Sequence, residues 1–296
     1  MTVPFRPRRS VLYMPASNER TLEKAKSIPC DGLIFDLEDS VAPDAKLAAR
    51  LAACEAADSG AYAPREVAIR INGAETQWHH DDLRAACDAA PDAIVVPKVS
   101  SADEVRELAD QMAAFSAPHH TRLWAMIESP VAILRCEEIA SASDRLTVLV
   151  MGTNDLAKEL YAAHVPGRHP LLTGLGLAVL AARATGRAIL DGVYNDVKDR
   201  EGFLVECRQG REMGFDGKTL IHPGQVAGAN AAYAPSAQEV KDARGVLQAW
   251  EAGEGSGVVT YRGRMVENLH VESARRTLAI AEAVSALGDP GGETAG

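Results

Sequence analysis

The sequence has no tract of about 18 consecutive apolar residues, so nothing in it reads as a membrane span. With 47% hydrophobic residues in 296, it can still bury a large core. It also lacks an excess of positive charge. Lys and Arg number 31 against 41 Asp and Glu, and a formal net charge of −10 excludes a protein-wide nucleic-acid surface. Cysteine is sparse and unpatterned: Cys30, Cys54, Cys87, Cys136 and Cys207 are odd in number, dispersed, and contain no C-x-x-C. Such residues read as reduced, mostly buried thiols of a cytoplasmic protein. The apolar stretch after the N-terminal arginines, Val11 to Met14, is too short for the core of a signal peptide, so nothing marks export.

Several nucleotide and hydrolase signatures are absent too. Gly174-x-Gly176 lacks the third glycine of a dinucleotide loop, and Gly217-Lys218-Thr219 has Glu212 where a P-loop requires glycine. His79-His80 and His119-His120 lack H-E-x-x-H spacing and lie in polar stretches, which reads as surface. No G-x-S-x-G elbow occurs, so an α/β-hydrolase is unsupported.

What the chain does have is regularity. Eight short apolar runs recur with helical segments between them: Ser10–Met14, Gly32–Leu37, Val67–Ile71, Ala93–Val99, Leu123–Ile127, Leu146–Met151, Ala188–Val193 and Lys218–Ile221. They are near-continuously apolar, as parallel strands buried on both faces must be. Helix starts fall between them. Pro43 opens Asp44–Ala57, Ser101-x-x-Glu104 reads as a capping box before Val105–Phe115, and Ser129-Pro130 precedes Val131–Ala140. Eight strand–helix units predict a (β/α)8 TIM barrel, a fold of about 250 residues. The expected organisation is a barrel over residues 1–235, a C-terminal helical lid or oligomerisation extension over 236–287 with a hairpin at VVTYRGRMV, and a disordered tail over 288–296.

Chemistry in such a barrel belongs at the C-terminal strand ends. The polar residues there are Asp36, Glu38, Asp39, Arg70, Asn72, Lys98, Glu128, Asp155, Asp191 and His222. Glu128 and Asp155, 27 positions apart, each end an apolar run where a helix should begin. Their hard oxygens suit Mg²⁺ or Mn²⁺ with waters retained, although acids at such positions also cap helices. Arg70 must leave the core at its strand end. It suits bidentate capture of a carboxylate, or a salt bridge to Asp36 or Glu38. Lys98 would need a lowered pKa to form a Schiff base, and the surrounding acids would raise it instead, so ion pairing is expected. His222 is expected to make a supporting hydrogen bond. Arg8, Arg9, Arg20 and Lys26, around the first strand, are candidate contacts for an anionic ligand, or a solvated face.

The runs RRSVLYMPASNERTLEKA, GLIFDLEDSVAPDAK, RIN, VVPKV, MIES, MGTNDLA, DREGF, GFDGKTLIHPGQV and YRGRMVENLHVESARR, in this order, closely resemble the citrate lyase β-subunit-like branch of the HpcH/HpaI aldolase superfamily. The likeness extends from Arg8 to about Ala283. It implies a TIM barrel with a C-terminal extension, a homotrimer or hexamer, and Mg²⁺-dependent cleavage or formation of a carbon–carbon bond in a β-hydroxyacyl thioester such as malyl-CoA or citramalyl-CoA. The products would be acetyl-CoA or another acyl-CoA and glyoxylate or pyruvate, by way of an enolate. Carried onto this sequence, the resemblance makes Glu128 and Asp155 the metal ligands and Arg70 the substrate-contacting arginine. Glu38 and Asp39 would hold waters on the metal or orient Arg70. The nucleotide of such a thioester needs cationic contacts, for which Arg8, Arg9, Arg20 and Lys26 are the candidates, with a solvated helix face as their alternative. No nucleic-acid or membrane partner is expected.

The chain departs from the family at one position. Where members place an Asp from a neighbouring subunit's tail, in a G-[KR]-M-[IV]-D motif, as the base, this chain has Glu267 in Gly263-Arg264-Met265-Val266-Glu267. The extra methylene displaces the carboxylate by about 1 Å, and such shifts can cost about 10²-fold in rate. The alternatives are a citrate lyase β subunit acting on citryl-acyl carrier protein within a complex, or a barrel with lapsed activity and a binding role. A third, a class II aldolase using free pyruvate and an aldehyde, would need no CoA.

Overall fold

In the computed structural model, residues 6–253 and 257–287 are described. The expectation for 288–296 lies outside the described residues. The eight apolar runs form the strands β1 (Ser10–Pro15), β2 (Gly32–Asp36), β3 (Glu66–Arg70), β4 (Ala93–Val96), β5 (Arg122–Ile127), β6 (Leu146–Met151), β7 (Ala188–Asp191) and β8 (Gly217–Leu220). They pair in parallel in chain order, and β8 returns to β1 through Ser10↔Lys218, Val11↔Thr219 and Leu12↔Leu220, closing the barrel. Inside it, alternate residues meet in an apolar core that includes Val11, Ile34, Ala68, Val95, Trp124, Val148 and Leu190. Residues of the opposite parity face the outer helices, so both faces are buried and the runs are apolar throughout.

The outer layer comprises α1 (Glu19–Ala25), α2 (Lys46–Asp58), α3 (His79–Ala89), α4 (Ala102–Ala114), α5 (Pro130–Leu134), α6 (Cys136–Ser141), α7 (Thr153–Glu159), α8 (Leu172–Thr185), α9 (Arg200–Met213) and α10 (Val226–Tyr233). Two local expectations need correction. The helix foreseen over Val131–Ala140 is broken at Arg135, whose φ of −109° and ψ of 14° leave the helical region. The Ser101–Glu104 box is half formed. Ser101 Oγ accepts from Glu104 N, but the Glu104 carboxylate turns to the N–H and hydroxyl of Ser100 at 2.8 and 2.6 Å. Ser129 caps α5 as expected, with its hydroxyl accepting from Ala132 N at 3.2 Å.

The chain divides into two compact units, one spanning Arg8–Ala232 and the other taking in the residues from Tyr233 onward. In the second, α11 (Ala237–Ala252) and α12 (Asn268–Ala286) pack together, and β9 (Val259–Tyr261) pairs antiparallel with β10 (Arg264–Val266). The hairpin turn places Arg262 and Gly263 at φ of 48° and 74°, the paired left-handed geometry that matches strand twist. A reciprocal capping box of Ser236 and Glu239 starts α11, with bonds of 2.7 and 3.2 Å. The five cysteines are free thiols, four of them buried and Cys54 half-buried. Among the described residues no helix is long and apolar enough to cross a membrane.

Candidate active site

The C-terminal mouth of the barrel carries a charged cluster contributed by consecutive strands. Asp36 and Arg70, the last residues of β2 and β3, lie opposite each other in register and form a bidentate pair at 2.6 and 2.7 Å. The guanidinium also reaches Glu38 Oε2 at 2.8 Å, with Asp39 at 4.0 Å, and it lies over the Tyr13 ring, 4.8 Å from its centroid. The salt-bridge alternative for Arg70 is thus realised with both Asp36 and Glu38. Asp36 further accepts from the Glu38 and Ser40 N–H groups and the Ser40 hydroxyl, so it fixes the DLEDS turn. Burial opposes ionisation of Asp36, but Arg70 outweighs it and the pKa lies below the usual carboxylate range.

A second layer supports the turn from below. Lys46, buried, spends its ammonium on Leu37 O, Glu38 O and Asn72 Oδ1 at 2.7, 2.8 and 2.7 Å. Asn72 in turn donates to Asp82, and Asp82 accepts from Arg50 Nε at 2.6 Å. This chain of Lys46, Asn72, Asp82 and Arg50 was not foreseen from the sequence. Lys46 and Arg50 fall on one face of an Ala-rich helix, and only their burial marks them.

Glu128 follows β5 and is almost wholly buried, one residue before the Ser129 cap. Its Oε1 accepts a 2.6 Å hydrogen bond from Lys98 N, and Lys98 adopts φ 57°, a left-handed conformation that non-glycine residues seldom occupy. Its other oxygen lies against Gly152, where a Cβ would overlap Oε2 and the Glu128 Cβ. Burial first, and then the charges of Glu38 and Asp155, push the Glu128 pKa up to about 8, with Lys98 N–H opposing. Glu38 is similarly raised to about 7 by burial, against the pull of Arg70 and with Asp39 and Asp36 adding to the rise.

Asp155 is in the first turn of α7, whose cap is Gly152 without a side-chain cap bond. Neither acid therefore caps a helix. Among the described residues no three His, Cys, Asp or Glu side chains gather as a ready-made metal cage. Two buried or half-buried carboxylates that repel each other fit a hard divalent ion that keeps waters, and the missing Cβ at Gly152 leaves room for the ligand.

Lys98 extends its ammonium over the mouth, 3.5 Å from Glu38 and 3.3 Å from Glu75, with its side chain 47% exposed. Burial lowers its pKa, but Glu38 and Glu75 outweigh this and the net shift is upward, as expected for an ion-paired lysine.

The other sequence candidates lie elsewhere. Arg9 precedes β1, at the opposite end of the barrel, and grips Asp31 with its N–H and guanidinium at 2.8 to 2.9 Å. Arg8 beside it pairs with Glu66, the first residue of β3, at 2.5 and 2.7 Å. The expectation that these arginines meet a nucleotide at the site is corrected, because the direction of β1 puts them at the N-terminal mouth. Lys26 follows the last residue of α1 and pairs with Glu23. Arg20, exposed in the first turn of α1, is the one of this group on the C-terminal side. Asp191 is bound by Arg168 at 2.7 Å and by the fully buried Lys218 at 3.2 Å, with Glu206 completing the group. His222 is exposed and caps a short 3₁₀ turn through Gly224 N. His79 is not merely a surface residue, since its Nδ1 bonds Asn72 O at 2.9 Å. Glu267 is the N-cap residue of α12 in the second unit, with its N–H donating to His270 Nδ1 at 3.1 Å.

Comparison with known proteins adds the following. The family described as HpcH/HpaI aldolase/citrate lyase matches residues 9–223, and a family of C–C bond lyases of the TIM-barrel fold matches 174–285. The chain is 49% identical to a (3S)-malyl-CoA thioesterase of Cereibacter sphaeroides (strain ATCC 17025 / ATH 2.4.3), over 95% of this chain and 97% of that one. It is 37% identical to the citrate lyase subunit beta of Escherichia coli (strain K12), over 94% of each. Among solved structures, CitE of Mycobacterium tuberculosis in complex with magnesium, acetoacetate and coenzyme A is 30% identical, with a TM-score of 0.75 over 93% of this chain and 98% of that one.

Proposed function

The chain belongs to the HpcH/HpaI aldolase/citrate lyase family, and from that premise we propose that it is a Mg²⁺-dependent enzyme of β-hydroxyacyl-CoA thioesters such as malyl-CoA or citramalyl-CoA, cleaving or forming their carbon–carbon bond. The observation that carries this reading is the buried Glu128, near enough to Asp155 for the two charges to oppose each other, beside an arginine already oriented by Asp36 and Glu38. A solved relative that holds magnesium and coenzyme A supports it.

Glu128 and Asp155 would hold the ion, Glu128 through the oxygen that the Lys98 N–H leaves open. When bound, Mg²⁺ supplies Lewis-acid polarisation of the substrate oxygens. Glu38, with its pKa near 7, accepts the hydroxyl proton at Oε1 or Oε2 as the carbon–carbon bond breaks. The bonding electron pair passes to the acyl thioester as an enolate, and the Arg70 N–H groups not engaged by Asp36 and Glu38 stabilise its oxyanion. Glu267 of the partner subunit, where the family resemblance puts this carboxylate, would return a proton to the acyl carbon, or remove one in the condensing direction.

The identity to proteins named (3S)-malyl-CoA thioesterase favours a second reading, in which water attacks the same thioester and the products are malate and free CoA. The purified chain, assayed with Mg²⁺ against malyl-CoA and citramalyl-CoA, separates the two. A lyase releases glyoxylate or pyruvate and no free thiol, whereas a hydrolase releases one thiol per turnover and no 2-oxo acid. Absence of both products on every acyl-CoA tried would overturn the proposal.

A further inference from the structure

The cations at the barrel mouth differ in how many of their donors remain open. Lys46 has three N–H bonds and makes three hydrogen bonds, all to groups that hold the DLEDS and RIN segments together. Arg70 gives two donors to Asp36, one to Glu38 and one to Met126 Sδ at 3.8 Å. Lys98 has one hydrogen bond from its ammonium, a long one of 3.3 Å to Glu75, and an ion pair to Glu38 at 3.5 Å. Its side chain is about half exposed while those of Arg70 and Glu38 are buried.

The backbone of Lys98 is as constrained as its ammonium is open. Its left-handed φ of 57° is a strained conformation for a side-chain-bearing residue, and strain of this kind persists where neighbouring structure enforces it. In this conformation its N–H donates a 2.6 Å bond to Glu128 Oε1. The residue that fixes the buried carboxylate therefore also carries a half-exposed cation into the mouth above it. The opposing anion is exposed as well. The Glu75 carboxylate folds back over Gly73, in space that a Cβ there would occupy, and its side chain is 57% exposed.

We propose that Lys98 is a specificity-determining residue whose ammonium leaves Glu75 to engage the carboxylate of the bound hydroxy or 2-oxo acid moiety. The inference rests on the barrel mouth being the substrate site, but not on which bond is broken there. Glu75 serves as the stand-in anion when substrate is absent, so substrate entry exchanges one carboxylate for another without stranding a charge. Lys98→Gln keeps the backbone N–H and hence the hold on Glu128, and removes only the ammonium.

The test uses the full chain and oxalate, an inert dianionic analogue, with Mg²⁺ saturating, alongside Mg²⁺ titration alone. For Lys98→Gln, oxalate affinity should fall about ten- to a hundredfold, the loss of a charge-assisted hydrogen bond, while Mg²⁺ affinity changes less than about threefold. Lys98→Arg should recover most of the oxalate affinity, and Glu75→Gln should tighten oxalate by removing its competitor. Where thioester turnover is measurable, Lys98→Gln should raise KM far more than it lowers kcat. Unchanged oxalate affinity in Lys98→Gln, or weakening by Glu75→Gln as large as that by Lys98→Gln, overturns the proposal. A wild-type chain that binds oxalate with Mg²⁺ and shows the Lys98 dependence, yet turns over no acyl-CoA, overturns the proposed reaction and leaves the role of Lys98 standing.

Discussion

Gly152 lies directly against the Glu128 carboxylate, in space where any Cβ would overlap its Oε2. The closeness has a chemical meaning, since that oxygen is the one Lys98 does not engage. Gly152→Ala should therefore displace the ligand without disturbing the strands. We expect Mg²⁺ affinity to drop at least about tenfold, as for loss of orienting contacts around a ligand, with the far-ultraviolet dichroism unchanged. Titration calorimetry on the variant reads the effect.

Asp155→Asn keeps the shape of the α7 first turn and removes the charge. If Asp155 is a ligand, Mg²⁺ affinity falls by at least about tenfold and activity falls with it. Unaltered Mg²⁺ affinity in this variant would mean that the ligand set is wrongly drawn.

The raised carboxylates predict how stability depends on pH. Glu38 at about 7 and Glu128 at about 8 both lie above the value of about 4.3 that a glutamate has in an unfolded chain. The folded state then binds more protons than the unfolded one between those limits, so their contribution is fully present below about pH 4 and is lost as pH rises through 7 and 8. Without divalent ions, this component of stability should decline from pH 5 to pH 8.5 by on the order of a few kcal/mol. Mg²⁺ should reverse the decline, and Glu128→Gln should flatten it. Thermal melts across pH with and without Mg²⁺ provide the measurement.

Arg9 and Arg20 offer a contrast between structure and binding. Arg9→Ala leaves the buried Asp31 carboxylate without its partner and should cost about 3 kcal/mol in unfolding free energy, with KM for a CoA thioester unchanged. Arg20→Ala, at an exposed position, should leave stability within about 0.5 kcal/mol and raise KM if this residue meets the nucleotide. Urea melts and initial rates together distinguish them.

Glu267→Gln tests the base. Turnover should fall by at least about 10²-fold if this carboxylate transfers the proton, and an intact rate would remove it from the mechanism.

The barrel was legible because parallel strands covered on both sides must be apolar throughout, and few other arrangements require eight such runs in a row. Glu128, Asp155, Arg70 and Glu38 were legible for the complementary reason: each is a charged residue where an apolar run stops. Chain direction along the first strand was the weak point. Arg8 and Arg9 are nearer to β1 in sequence than Arg20, but they stand at its beginning, where they pair with Glu66 and Asp31 respectively. Burial was the other blind spot, since Lys46 on α2 has the composition of a solvated residue and acquires its role only through Leu37, Glu38 and Asn72. The break at Arg135 and the turn of Glu104 toward Ser100 depend on backbone angles that residue types alone do not specify.

The seam between β1 and β8 governs when the molecule can become whole. Its register pairs join residues more than 200 positions apart, the longest separation in the ring, and a side chain at Gly217 would strike the Arg8 carbonyl. Long loops are entropically the slowest to close, so the other seven pairings can form on a nascent chain while the hoop waits for its last stave. The amides along Ser10–Leu12 and Gly217–Leu220 are accordingly expected to acquire protection from hydrogen exchange last during refolding and to surrender it first.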